Sequence, residues 1–139
     1  MESTSHIHPD SEVAKNYFTT VGGGPVVMLN LLRYREEADY AASPKLDPGK
    51  PISGEEAYKT YMAEVGPLIQ AAGSEVIFMG KGGANLIGPA NEHWDLVLLV
   101  RHQSAARFMQ FAQDPAYLKV AGHRTAALAD SRLLPIQQG

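Results

Sequence analysis

The hydrophobic positions change period several times along the chain, and each change marks an element. Val26 to Leu32 is an apolar run broken only by Asn30 and opened by Pro25, which predicts a strand. From Arg33 to Ile52 no period survives, and Pro44, Pro48, Gly49 and Pro51 intervene, so a long connecting loop is predicted, the interior segment most open to proteases. Periodicity returns at Ser53-Gly54-Glu55-Glu56, which has the spacing of a capping box. Ala57, Tyr61, Val65, Leu68 and Ala72 then form one helical stripe that must face a core. Pro67 removes a backbone donor inside that stripe, so a kink is expected at Gly66-Pro67 and a stop near Gly73.

Downstream, Glu75 to Lys81 predicts a second strand, Gly82 to Glu92 a glycine-rich connection, and Trp94 to Arg101 a third strand. Ser104 to Ala112 is helical; Asp114-Pro115 is a cap followed by proline at a first helical position, so a new helical segment runs to about Ala129. Ser131 to Ile136 supplies a last short strand. Upstream, Asp10 caps a short helix through Val13, Tyr17 and Phe18 that ends at Gly22-Gly23-Gly24. Residues 1–24 therefore read as an N-terminal extension, expected to be dispensable for folding even where it packs on the rim of the domain, and residues 25–139 as the domain. Strand, helix, strand, strand, helix, strand is the α+β, ferredoxin-like βαββαβ order, with two helices on one face of a four-stranded antiparallel sheet.

The strands carry one further message. Val26-Val27-Met28-Leu29 and Leu96-Val97-Leu98-Leu99-Val100 are apolar at successive positions, hence on both faces of the sheet. Helices cover only one face. A second copy of the same sheet is the simplest cover for the other, so a homodimer packed sheet to sheet is expected.

Composition narrows the chemistry. The 139 residues fit one domain, and the absence of cysteine removes disulfides, thiolate metal sites and cysteine nucleophiles. A net charge of −3 without a basic run argues against nucleic acid and anionic membrane as partners. The polar opening from Met1 to Glu12 lacks the order of a signal peptide, and no stretch approaches a membrane span, so a cytoplasmic protein is expected. No Gly-x-Ser-x-Gly elbow is present, and Ser53, Ser104 and Ser131 are read as caps. The glycine clusters at Gly22 and Gly80 lack phosphate-loop spacing and read as turns.

Among the histidines, His93 and His102 bracket a strand, roughly 30 Å apart at the usual rise, and cannot share a metal within one chain. His6 and His8 lie near the terminus. His123 remains, in a helix beside Arg124; residues adjacent on a helix point about 100° apart, so only one of the two can face the sheet. His123 either anchors the core or works as an acid/base over a pocket. Asn30, an amide in an apolar central strand, is either a bracket to backbone or a ligand contact. Arg33 ends that strand and could neutralise an acidic ligand or pair with a carboxylate. Tyr58 and Tyr61 are helix neighbours that read first as core packing, with hydroxyls that could reach a cavity. Trp94 reads as packing, and Asp95, facing the other way, as an ion-pair or turn partner.

The string Pro25 to Arg33, Ser53-Gly54-Glu55-Glu56-Ala57-Tyr58 with Tyr61, Ile87-Gly88-Pro89, Trp94-Asp95, Asp114-Pro115-Ala116-Tyr117 and His123 to Leu133 resembles domain-of-unknown-function family thirteen-thirty. That resemblance implies a dimeric α+β barrel, whose ferredoxin-like protomers pair sheet to sheet. One departure is visible, His102-Gln103-Ser104 in place of an aromatic-Pro-Ser turn. By superfamily analogy the expected function is small-molecule binding, extending to cofactor-free enzyme chemistry on a small polar or acidic organic compound. His123 is then the catalytic group, and Asn30, Arg33, Tyr61 and Arg124 the substrate contacts. The alternative is a non-catalytic ligand-binding or structural homodimer. Some superfamily members bind haem, which His123 would have to ligate, but no cofactor or metal is expected from the residues themselves.

Overall fold

The computed structural model describes residues 5–137; the first four residues of the extension and the last two of the domain lie outside them. Helix α1 (Ser11–Thr20) starts at Asp10, whose carboxylate accepts from the amides of Glu12 and Val13. Strand β1 (Val26–Tyr34) leads through a loop with a short 3-10 turn (Pro44–Leu46) to α2 (Gly54–Ala71). Then follow β2 (Glu75–Lys81), β3 (Leu96–His102), α3 (Ala105–Gln113), α4 (Pro115–Ala127) and β4 (Leu128–Gln137).

The sheet order is β2-β3-β1-β4, all neighbours antiparallel, so β1 and β3 are central. This is the ferredoxin-like arrangement. The capping box is present, with Ser53 accepting from the Glu56 amide, and α2 continues through Pro67 to Ala71 as one helix. Asp114 caps α4 with Pro115 at its first turn, which separates α3 from α4. α4 ends two residues earlier than expected and β4 begins at Leu128 rather than Ser131, because the chain turns directly into pairing with Tyr34.

Register separates the two sheet faces. Val26, Met28, Asn30 and Leu32 lie opposite His102, Val100, Leu98 and Leu96, and all but Asn30 and Leu96 are buried beneath the helices. The main core joins Leu32, Leu98 and Val100 to Ala57, Tyr58, Tyr61, Val65 and Ile69 of α2 and to Ala126, Ala127 and Leu128, while Val26 and Met28 form a second cluster with Ala105. Val27, Leu29, Leu31, Val97 and Leu99 point the other way, with Phe78, Leu134 and Ile136 beside them in register. Phe78 and Leu134 are 55% and 56% exposed, so this second face carries an uncovered apolar surface.

The extension is more than an appendage. Tyr17, Phe18 and Val21 pack with Phe108 against Val26, Met28 and Ala105, and Ile7 packs against the main core. α1 thus covers one end of the helix-side face, with its half-buried aromatics packed on Val26, Met28 and Ala105. The loop is likewise held at its base: Arg35 donates to Ala127 O, Ala38 to Ile52 O and Asp39 to Ala126 O. Only its far end, around Asp47 to Lys50, is uniformly exposed or nearly so.

Candidate functional site

α4 and the loop meet at Gly122. A Cβ there would collide with Ser43 and Leu46, so glycine lets the loop lie directly on the helix. This seats Tyr40, a buried loop residue, against His123. The Tyr40 hydroxyl is 2.7 Å from His123 Nδ1, and His123 Nε2 is 3.0 Å from a Glu64 carboxylate oxygen on α2. An ionised carboxylate can only accept, so Nε2 carries a proton; in neutral imidazole Nδ1 is then the acceptor and Tyr40 the donor. Burial, with Asp47 and Glu64 nearby, pushes the Tyr40 phenol above its ordinary range, which keeps its proton in place at neutral pH. Tyr40 also lines a cleft of about 560 Å³ formed by the loop, together with Ala38, Pro44, Asp47, Pro51 and Ile52.

A second polar cluster lies deeper. Tyr61 and Tyr117 share a hydroxyl–hydroxyl bond of 3.0 Å, and Tyr34, Tyr58 and Tyr61 form a chain of ring contacts at 5.9 and 5.2 Å. Burial raises the Tyr61 phenol well above normal, helped by Tyr117 and Tyr58, while Arg124 pulls it back. Tyr58 is raised by burial in the same way. Tyr34 is pushed up to about 12 by burial and by Glu55 and Asp95. Arg124 donates to Ile7 O at 2.9 Å and lies 3.4 Å from Ser131 Oγ. Ser131, expected as a cap, holds the N-terminal arm instead, donating to His6 O.

The five residues singled out in the sequence do not converge on one pocket. His123 faces α2 and the loop; Arg124, one residue on, faces the arm and β4, as their angular separation requires. Asn30 donates to Met28 O at 3.2 Å and Leu98 O at 3.4 Å, a bracket to its own strand and its neighbour. Arg33 pairs with Asp130 at 3.7 Å. Tyr61 lies near Arg124 and Tyr117 in the deeper cluster. Trp94 is buried beneath Arg132 at 5.0 Å, and Asp95 accepts from the Tyr34 amide. Tyr40 and Glu64, the partners of His123, carry no signal in the sequence, because their contact with it is tertiary. Among the described residues no group of three or more His, Asp or Glu side chains is placed to hold a metal, and no helix is long and apolar enough to cross a membrane.

Sheet order and helix placement define a ferredoxin-like α+β protein. More narrowly, the family model for the domain of unknown function DUF1330 matches residues 51–136, and the chain belongs to that family. It is similar to RPA0582, a protein of unknown function from Rhodopseudomonas palustris: 36% identity over 97% of this chain and 98% of that one, TM-score 0.85. The methylated form of RPA0582 aligns at 37% identity over 98% and 96%, TM-score 0.86. A dimeric ferredoxin-like protein of unknown function from Thermobifida fusca shares the fold at 15% identity, covering 84% of this chain and 92% of that one, TM-score 0.50. No curated protein matches.

Proposed function

We propose that this chain binds a small polar or acidic organic compound as a sheet-to-sheet homodimer of the dimeric α+β barrel type, and that His123 moves a proton at that site. The observation that carries this reading is the Tyr40–His123–Glu64 chain, in which Tyr40 and His123 are buried, the Glu64 carboxylate is half exposed, and Tyr40 also lines the loop cleft. Such a chain can take a proton without forming a tyrosinate. A substrate proton passes to the Tyr40 oxygen as the Tyr40 proton passes to Nδ1, leaving a substrate anion and an imidazolium held by Glu64. The dimer is supported by the uncovered apolar sheet face and by neighbours of this fold that are themselves described as dimeric.

A second reading, a non-catalytic binding or structural homodimer, is favoured by one fact: each of Asn30, Arg33, Tyr61, His123 and Arg124 already has a protein partner. A thermal-shift screen of small carboxylic acids and polar compounds separates the two. Proton-transfer chemistry at His123 requires that compounds stabilising the native chain lose their effect in His123→Ala and Tyr40→Phe while circular dichroism shows an intact fold. A His123→Ala protein of lower Tm with unchanged ligand stabilisation leaves the second reading standing.

A further inference from the structure

Arg124 and Ser131 sit at the mouth between α4 and the edge strand β4, and what they hold there is a peptide. Arg124 Nη1 donates to Ile7 O at 2.9 Å, Ser131 Oγ donates to His6 O, and the half-buried Ile7 side chain packs against the core. Asp130, beside them, accepts from the His6 amide at 2.8 Å and from Arg132 at 2.9 Å, with Arg33 at 3.7 Å. Arg132 and Arg33 thus face the buried Asp130 carboxylate, while Arg124 faces the neutral peptide. The group that Arg124 grips is an uncharged carbonyl, although guanidinium forms its strongest hydrogen bonds with carboxylates.

We propose that this notch is a binding site for small N-acyl amino acids with an aliphatic side chain, and that the His6–Ile7 segment is a resident stand-in that such a ligand displaces. The acyl carbonyl takes the place of His6 O on Ser131, the ligand carboxylate takes the place of Ile7 O on Arg124, and the aliphatic side chain fills the position of Ile7. The tethered arm competes at an effective concentration of about millimolar order, so a neutral mimic gains nothing over it. The carboxylate does, because its bond to Arg124 is charge-assisted. The inference does not depend on proton transfer at His123, since Arg124 is reached from another side of α4.

N-acetylisoleucine and its uncharged amide are titrated into the full chain by calorimetry, with hydrogen exchange read at the arm. The free acid is expected to bind at least tenfold more tightly than the amide and to abolish protection of the His6 amide. In Ile7→Gly, which loosens the arm from the core, the acid is expected to bind more tightly still; Arg124→Gln is expected to erase the difference between acid and amide. Equal affinity of acid and amide, binding with the arm still protected, or no binding to Ile7→Gly would each overturn the proposal and leave the arm a fixed piece of structure.

Discussion

The Tyr40 hydroxyl lies 2.7 Å from Nδ1 of His123 although 83 residues separate them in the chain. Removing the hydroxyl in Tyr40→Phe strands a buried nitrogen, so a loss of about 1–3 kcal/mol is expected from chemical denaturation. A double-mutant cycle with His123→Ala should give a coupling energy of about 0.5–3 kcal/mol. Additive losses would mean that the contact is incidental.

Gly122 makes that contact available, because a methyl group there would meet Ser43 and Leu46. Gly122→Ala should therefore lift the loop from α4 in spite of alanine's better helix propensity, which is worth about 1 kcal/mol. The expected result is a net loss of stability together with faster limited proteolysis in the loop. A stabilised protein with unchanged cleavage would show that the loop accommodates the methyl group.

How much of this was legible in the chain follows the range of the forces involved. The Asp10 cap, the Ser53 capping box and the Asp114-Pro115 start were readable because each is satisfied within a few residues. The face assignment of β1 was readable from period alone. Tyr40 was not: it sits in a proline-rich stretch without periodicity, and only the loop's return onto α4 buries it. Ser131 was misread as a cap for a related reason, since its partners, the His6 carbonyl and Arg124, come from the far end of the chain and from the preceding helix. The extension looks separable in sequence because Gly22-Gly23-Gly24 cuts its helix off from β1; that its aromatics pack against Val26 and Met28 is visible only in three dimensions.

That contact makes the extension testable. Phe18 stacks on Phe108 at 6.3 Å over Val26 and Met28. Truncating a half-buried aromatic should cost about 2 kcal/mol, less than the 3–5 of a fully buried one. Phe18→Ala is expected to lower the urea midpoint accordingly, and removal of residues 1–24 to lower it further. An unchanged midpoint in either variant would restore the extension to the status of an appendage.

His102 sets an acid limit. Buried between Phe108 and Phe111 and bonded to Ser74 Oγ at 2.7 Å, it is pulled from 6.5 down to about 4 by burial. The unfolded chain therefore binds this proton first, and stability falls as pH drops from 6.5 toward 4, by up to about 3 kcal/mol. Asp130 adds to the same trend: burial raises its carboxyl, but the amides of His6 and Ser131 and the Arg132 guanidinium outweigh burial and hold it low. Its contribution, present at neutral pH, is lost as pH falls through that lowered value. Urea midpoints measured across this range should show a shallower acid slope in His102→Gln than in the native chain; parallel slopes would place the acid sensitivity elsewhere.

Leu98 and Leu99 are neighbours on β3 that face opposite ways, and they separate folding from association. Leu98 is buried beneath the helices opposite Asn30, so Leu98→Asp places a charge in the core and is expected to unfold the chain. Leu99 lies on the uncovered face opposite Leu29 and beside Phe78. Leu99→Asp should leave the protomer folded, because its carboxylate can reach water once the partner has gone. In the sheet-to-sheet dimer, however, that carboxylate would be buried against the apolar face of the second copy. Light scattering should then report about 30 kDa for the native chain, twice the 15.0 kDa of one copy, and a folded monomer for Leu99→Asp. A native chain that scatters as a monomer at every concentration would refute the dimer and leave the apolar face without its proposed cover.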